Sequence, residues 1–242
     1  RNIVEVDGPL WAEALDSIKD SLRYEGDKMP EQGKGALKEW IRLLTPSDLR
    51  DRLKLYVTNP PYEHEEGKDG HYIDLAAGNA KALAAELSSD LNSIMPHLDE
   101  LLIGEQRMAF WFATNLVQSG CKWEPLLSET IERLTKIKSP NISLLLGILN
   151  GIFICDSSQW EDIVKKISKM AALIPYYANI IRSGEVTTEQ LCGLVELISQ
   201  GKVASTSANT LTYGRPFEHL PTDTVCKFVQ DLSAISDDAA WI

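Results

Sequence analysis

The sequence predicts an all-α protein, and one apolar stretch is the strongest reason. From Ser139 to Cys155 the chain reads SPNISLLLGILNGIFIC, without a charged residue. Apolar side chains fall on every face of a helix drawn through it, so neighbours must cover that helix on all sides. Ser139 can cap the helix and Pro140 suits its first position. The stretch is shorter than the roughly 20 apolar residues that cross a bilayer, and it therefore predicts the most buried helix of a soluble body.

The second observation is the helical spacing of apolar residues in the rest of the chain. Stripes recur every three or four residues, from Trp11 and Leu15 near the start to residues 223–235 near the end. Nowhere do four residues alternate cleanly between apolar and polar with turn residues on both sides, as in a strand. The pattern predicts about ten helices, including one from Tyr72 towards Ile94 and one from Gly104 to Gln118.

The third observation is internal repetition. The cysteines stand 34, 37 and 34 residues apart, at Cys121, Cys155, Cys192 and Cys226. Residues 188–198 and 222–232 match at their apolar positions, one acid and the cysteine. A period of 34–37 residues fits two helices and two turns, which is the unit of a solenoid. We therefore predict an α-solenoid of antiparallel helix pairs, similar in type to HEAT or TPR repeats.

The repeat signal covers only the second half of the chain, which sets the predicted organisation. Residues 1–95 are interpreted as an N-terminal helical subdomain and residues 96–242 as the helical-repeat region, in one continuous body. The chain begins at Arg1, and residues 238–242 resemble the start of a further helix. We therefore expect a segment of a larger parent chain, truncated at its C-terminus.

Charge and cysteine usage limit the possible partners. The chain has 24 basic and 35 acidic residues, a net charge of −11, and such a surface repels phosphate backbones. We expect no nucleic-acid partner, and without a signal peptide or a transmembrane segment we expect a cytoplasmic protein without a membrane partner. The cysteines form no CxxC pair, which favours buried thiols over disulfides. Cys192 and Cys226, as equivalent repeat positions, are both predicted to be buried.

Residues 58–71 are predicted to form the longest loop, and it carries the candidate site. Two prolines, two glycines and a run of acids mark this loop. Tyrosines there offer contact area, and the acids give a negative field that suits a basic protein partner. The candidate partner-binding residues are Tyr62, Glu63, His64, Glu65, Glu66, His71 and Tyr72.

An alternative use of the same loop is metal-dependent catalysis. His64 and His71, together with the nearby acids, could bind a divalent ion in a small α-helical hydrolase. The HExxH motif is incomplete, however, because Lys68 stands where the second histidine is required. The ligand spacing of an EF-hand is absent too. We therefore expect no metal, no cofactor and no catalytic residue in this segment.

Four phrases of the sequence together resemble one protein class. They are Asn59-Pro60-Pro61-Tyr62, residues 69–74 (DGHYID), Gly104-Glu105-Gln106-Arg107 and Tyr213-Gly214-Arg215-Pro216. They are similar to the helical-repeat regions of very large bacterial proteins that carry a signal-transduction NTPase module and act in antiviral defence. The resemblance implies a sensor segment that recognises a foreign protein, with the NTPase and effector elsewhere in the parent chain. Because no NTPase motif occurs here, it also implies a non-catalytic protein-interaction module.

Overall fold

The computed structural model describes residues 11–60, 64–66 and 72–235 and confirms the all-α prediction. Within these ranges the chain forms thirteen α-helices, one short hairpin, one π-helical turn (Lys54–Thr58) and several short 3-10 segments. The helices are α1 (Trp11–Glu25), α2 (Glu31–Leu44), α3 (Leu49–Leu53), α4 (Leu75–Leu87), α5 (Leu91–Ile94), α6 (Leu98–Leu101), α7 (Ala109–Gln118), α8 (Trp123–Leu134), α9 (Ser143–Cys155), α10 (Ser157–Ile167), α11 (Tyr177–Ile181), α12 (Thr188–Ser199) and α13 (Thr222–Ile235). Among these described helices, not one has both the length and the apolar character that a membrane crossing requires.

Two predicted helices are shorter than the sequence indicated. The helix expected to reach Ile94 ends at Leu87, where Asp90 N–H donates to the Leu87 carbonyl at 3.0 Å and closes a turn. The helix expected from Gly104 begins only at Ala109, and Gly104 itself has a φ of +70°, which lies outside the α-helical region. The structure has more helices than the ten predicted, because apolar periodicity alone does not show where one short helix ends and the next begins.

The predicted loop of residues 58–71 contains part of a β-hairpin, which is a correction. Strand β1 (His64–Glu66) pairs antiparallel with strand β2 (Tyr72–Asp74). The following helix therefore begins at Leu75 and not at Tyr72, and the Asp74 carboxylate accepts from Ala77 N–H at 3.0 Å as its cap. Strands of three residues are too short to show the alternation by which a sequence reveals them.

Helices α7 and α9 cross closely at the centre of the molecule. A Cβ placed on Gly147 would lie 2.3 Å from the Phe110 carbonyl oxygen, and one on Gly151 would lie 2.6 Å from Val117 Cβ. The absence of side chains at these glycines therefore permits the approach. Helix α4 packs against α7, while α8 and α10 pack against α9. As predicted, α9 is largely buried, although it starts at Ser143 and not at Ser139.

The hydrophobic interior consists of two clusters of unequal size. The main core runs from Leu53 to Leu232 and crosses residue 95, where the two predicted subdomains would meet. A small second cluster has three buried members, Trp11, Leu15 and Leu55. Helix α2 contributes no buried residue and is held mainly by α1. Within the described chain, packing is therefore dense at α7 and α9 and thin at α2.

Helices α12 and α13 pack together and agree with the proposed repeat register in their apolar positions. Leu194 and Ile198 are buried in α12, and their equivalents 34 residues later, Phe228 and Leu232, are buried in α13. The predicted burial of the two cysteines is wrong, because Cys192 and Cys226 are both exposed. Cys192 stands one residue, or about 100° of helical rotation, after the buried Leu191, and Cys226 stands one residue after the half-buried Val225. The solenoid arrangement stays a prediction.

Candidate functional site

The predicted partner-binding residues lie only partly within the described structure. Tyr62, Glu63 and His71 fall outside the described residues. His64, Glu65 and Glu66 form β1, and Tyr72 is the first residue of β2. Both interpretations of this segment, partner binding and metal-dependent hydrolysis, therefore stay predictions. Elsewhere in the described chain, no group of three or more His, Cys, Asp or Glu residues is placed to hold a metal ion.

Two of the phrases that carry the resemblance contact each other. Arg107 N–H donates to the Thr58 carbonyl at 3.1 Å, and the Arg107 guanidinium Nη1 donates to the Pro60 carbonyl at 3.3 Å. Asn141 Nδ2 donates to the Gly104 carbonyl at 2.8 Å. These bonds connect three segments: one precedes the hairpin, one precedes α7 and one precedes α9. The described residues of both phrases thus lie at contacts between segments that lead into secondary-structure elements.

A cleft of about 360 Å³ opens beside the α7–α9 crossing. Four parts of the chain meet there, namely α7, α9, the end of α11 and the segment after the 3-10 turn at residues 205–212. Its principal lining residues are Phe110, Leu146, Asn179, Arg182, Tyr213 and Pro216. We call this surface the aromatic cleft.

Polar bonds hold Ser183, which lines the aromatic cleft. The Trp160 indole N–H donates to Ser183 Oγ at 3.0 Å, and Asn150 Nδ2 donates to the Ser183 carbonyl at 2.9 Å. Thr114 Oγ1 donates to the Gly147 carbonyl at 3.1 Å, which ties α7 to α9. Because these polar groups are bonded and fully or partly buried, they hold the surrounding helices in one arrangement. The elements that line the cleft are therefore preorganised.

A tight turn forms one edge of the aromatic cleft. Gly214 and Arg215 both have positive φ, +79° and +59°. The second value is unusual for a residue with a side chain and costs roughly 1–2 kcal/mol. The guanidinium Nη2 of Arg182 lies 3.4 Å from the position that a Cβ on Gly214 would take, so glycine gives this edge room to approach Arg182. The turn leaves the Tyr213 side chain 68% exposed beside the cleft.

The aromatic surface continues beyond the cleft onto α7. The rings of Phe110 and Trp111 meet edge to face with centroids 5.3 Å apart. Trp111 is 43% exposed, and Lys81 Nζ lies 5.0 Å from its ring centroid. An exposed tryptophan with a cation over its face lies next to a half-buried phenylalanine. The apolar surface is thus larger than the cleft alone.

The sequence analysis did not identify the aromatic cleft, although the predicted repeat period connects three of its lining residues. Three residues that line the same surface follow one another at intervals of 36 residues: Phe110, Leu146 and Arg182. That interval falls within the 34–37 residues deduced from the cysteines. Adding one period of 36 residues to Phe110 gives Leu146, and adding a second gives Arg182.

A second concave surface lies between α10 and α12. This groove measures about 870 Å³, with Lys165 and Lys169 on one wall and Glu189 and Glu196 on the other. Tyr177 lines its floor, and its hydroxyl has no hydrogen-bond partner among the described residues. Burial, and to a smaller extent the Glu189 charge, raise the pKa of Tyr177 to about 12. The groove is polar and carries opposed charges, which is typical of a solvated surface.

Comparison with family models, curated proteins and solved structures finds no match for this chain. A proposal of function therefore rests on its own residues. Of the two concave surfaces, the aromatic cleft and the adjoining Trp111 offer tryptophan, tyrosine and arginine, the residue types that dominate binding energy at protein interfaces. The aromatic cleft is the better candidate site.

Proposed function

We propose that this segment is a protein-interaction module whose aromatic cleft binds a linear segment of a partner protein. The observation that carries the proposal is that exposed Tyr213 and Arg182 line one cleft with Phe110, whose ring meets that of exposed Trp111 edge to face. Large exposed aromatic side chains are costly to leave in water, and contiguous apolar surface of this kind marks interaction sites. We propose no catalytic role for this segment.

The spacing of the lining residues supports a helical-repeat architecture for the module. Phe110 lies on α7, Leu146 on α9 and Arg182 at the end of α11, one predicted period apart each time. A solenoid presents equivalent positions of successive repeats on one continuous surface and uses that surface for binding. A cleft built at the predicted period is what such an architecture would provide.

The partner class follows from the resemblance to defence proteins. Tyr213-Gly214-Arg215-Pro216 is one of the four phrases that carry it, and this phrase forms the edge of the aromatic cleft. We propose that the partner is a foreign, viral protein and that the segment is the sensor or scaffold part of a larger cytoplasmic bacterial NTPase. In a bacterial host, Tyr213→Ala in the parent protein should abolish protection against phage without lowering its abundance. Undiminished protection would contradict this assignment.

Selection from a library of random displayed peptides tests the binding module directly. Wild-type protein should enrich peptides whose binding is lost with Tyr213→Ala. The matched control is Tyr24→Ala, because Tyr24 on α1 is 69% exposed and Tyr213 is 68% exposed. Circular dichroism should show both variants folded. Failure to enrich any peptide, or equal binding by wild type and Tyr213→Ala, would overturn the proposal.

A further inference from the structure

Arg182 differs from the other arginines of the described chain. Arg23 lies over the Tyr24 ring at 5.8 Å. The arginines that pair with a glutamate carboxylate are Arg42, Arg50, Arg52, Arg107, Arg133 and Arg215. The Arg182 side chain makes no ion pair or hydrogen bond to any described residue, although acids outnumber bases in this chain.

The surroundings of Arg182 suit an anion that the protein itself does not supply. Phe110, Leu146 and Pro216 line the cleft with apolar surface, and Asn179 adds an amide group. An occupant of the cleft would exclude water there, and a charge pair gains strength when the local dielectric falls. The planar guanidinium binds a carboxylate through two parallel hydrogen bonds, which fixes orientation as well as charge.

We propose that Arg182 binds a carboxylate of the partner, so that the segment taken by the aromatic cleft carries an Asp or Glu beside an apolar or aromatic residue. This inference rests on the proposed function and deepens it. One guanidinium without a second cation among the principal lining residues matches a single negative charge. Phosphorylated segments, in contrast, are typically bound by clusters of arginines. The apolar walls account for the neighbouring residue, and charge complementarity accounts for the acid.

Parallel selections from one random peptide library test this pairing. Wild type should enrich peptides that contain Asp or Glu, Arg182→Gln should lose that preference, and Arg182→Glu should enrich Lys or Arg instead. The control is Arg215→Gln, because Arg215 is exposed in the adjoining turn and already pairs with Glu218 at 3.1 Å. This control should retain the acidic preference. An acidic preference that survives Arg182→Gln would overturn the inference.

A binding cycle on one selected peptide makes the test quantitative. Replacing its Glu by Gln should weaken binding to wild type about tenfold or more and leave binding to Arg182→Gln nearly unchanged, which isolates the pair. Equal weakening with both proteins would show that Arg182 does not contact the acid. If Tyr213→Ala abolishes binding but Arg182→Gln does not, the proposed function stands and this inference fails. If binding depends on neither residue, both fail.

Discussion

Helices α9 and α2 each contain two glycines, and the two pairs lie in opposite environments. A Cβ on Gly147 or Gly151 of α9 would overlap α7, whereas a Cβ on Gly33 or Gly35 of α2 would meet no heavy atom within 4 Å. In α9 the glycines permit close packing. In α2 they only lower helix propensity. The comparison shows that close packing restricts which residues fit at the α7–α9 crossing, whereas packing places no such restriction on the glycine positions of α2.

Leucine truncation should give the largest contrast between the two helices. Leu145 in α9 is fully buried, so Leu145→Ala should lower the free energy of unfolding by about 2–5 kcal/mol through lost burial and a cavity. Leu43→Ala in α2, where the side chain is 57% exposed, should change it by less than about 0.5 kcal/mol. Denaturant unfolding measures both. Equal losses of unfolding free energy at Leu145 and Leu43 would contradict the contrast between α9 and α2.

The neighbouring Leu146 refines the same prediction. The apolar pattern of the sequence places both Leu145 and Leu146 in the buried helix, but Leu146 is only half-buried because it lines the aromatic cleft. We therefore expect Leu146→Ala to cost less stability than Leu145→Ala. A larger loss at Leu146 would mean that its side chain belongs to the core and not to the cleft.

Adding a methyl group to α9 should also destabilise the protein. Gly147→Ala would place Cβ 2.3 Å from a backbone oxygen of α7, which no side-chain rotation relieves. Overpacking of this kind typically costs about 1–3 kcal/mol. The free energy of unfolding should fall accordingly, and the midpoint of thermal unfolding should fall with it. An unchanged midpoint would show that α7 and α9 do not cross this closely.

A glycine-to-alanine substitution in α2 should instead raise the free energy of unfolding. Gly35→Ala meets no steric obstacle, and alanine favours a helix over glycine by about 0.8–1.0 kcal/mol. If α2 unfolds with the rest of the chain, the free energy of unfolding should rise by up to this amount. A loss of stability would mean that the exposed face of α2 is covered in solution.

Thiol labelling tests the burial of Cys121, which follows α7, without changing the sequence of the protein. Burial, then the charge of Glu124, raise the pKa of the Cys121 thiol to about 11, and the thiolate is the reactive form. At about pH 8 an alkylating reagent should modify the exposed Cys155, Cys192 and Cys226 and spare Cys121. Cys121 should react progressively as the pH rises towards 11, or at once in denaturant. Rapid modification of Cys121 in the folded protein at pH 8 would contradict its burial.

Local patterns explain which parts of the fold could be predicted. The uniform apolarity of residues 142–153 identified the buried helix, because no other arrangement covers such a surface. Its first residues were misplaced: Asn141 Oδ1 accepts from Ser143 N–H at 2.9 Å, and the side chain of Asn141 thereby supplies the local bond that Ser139 was expected to make. The β-hairpin was missed because each strand has only three residues.

The candidate site could not be read from local patterns at all. Phe110, Leu146, Arg182 and Tyr213 come from distant parts of the sequence, and each is ordinary in its own segment. What makes Arg182 unusual is that it pairs with no acidic side chain of the described residues, and this depends on the packing of four segments. The repeat period was the one sequence signal that connected three of these positions.

Native-state hydrogen exchange tests the central structural claim most directly, namely that the α7–α9 crossing is the stable base of the aromatic cleft while α1 and α2 are held weakly. Amides of α7 and α9 should exchange only through global unfolding, at the full free energy of unfolding. Amides of α2 should exchange through a partial opening at lower free energy. Equal protection in α2 and α9, or exchange of α9 through a partial opening, would contradict the claim.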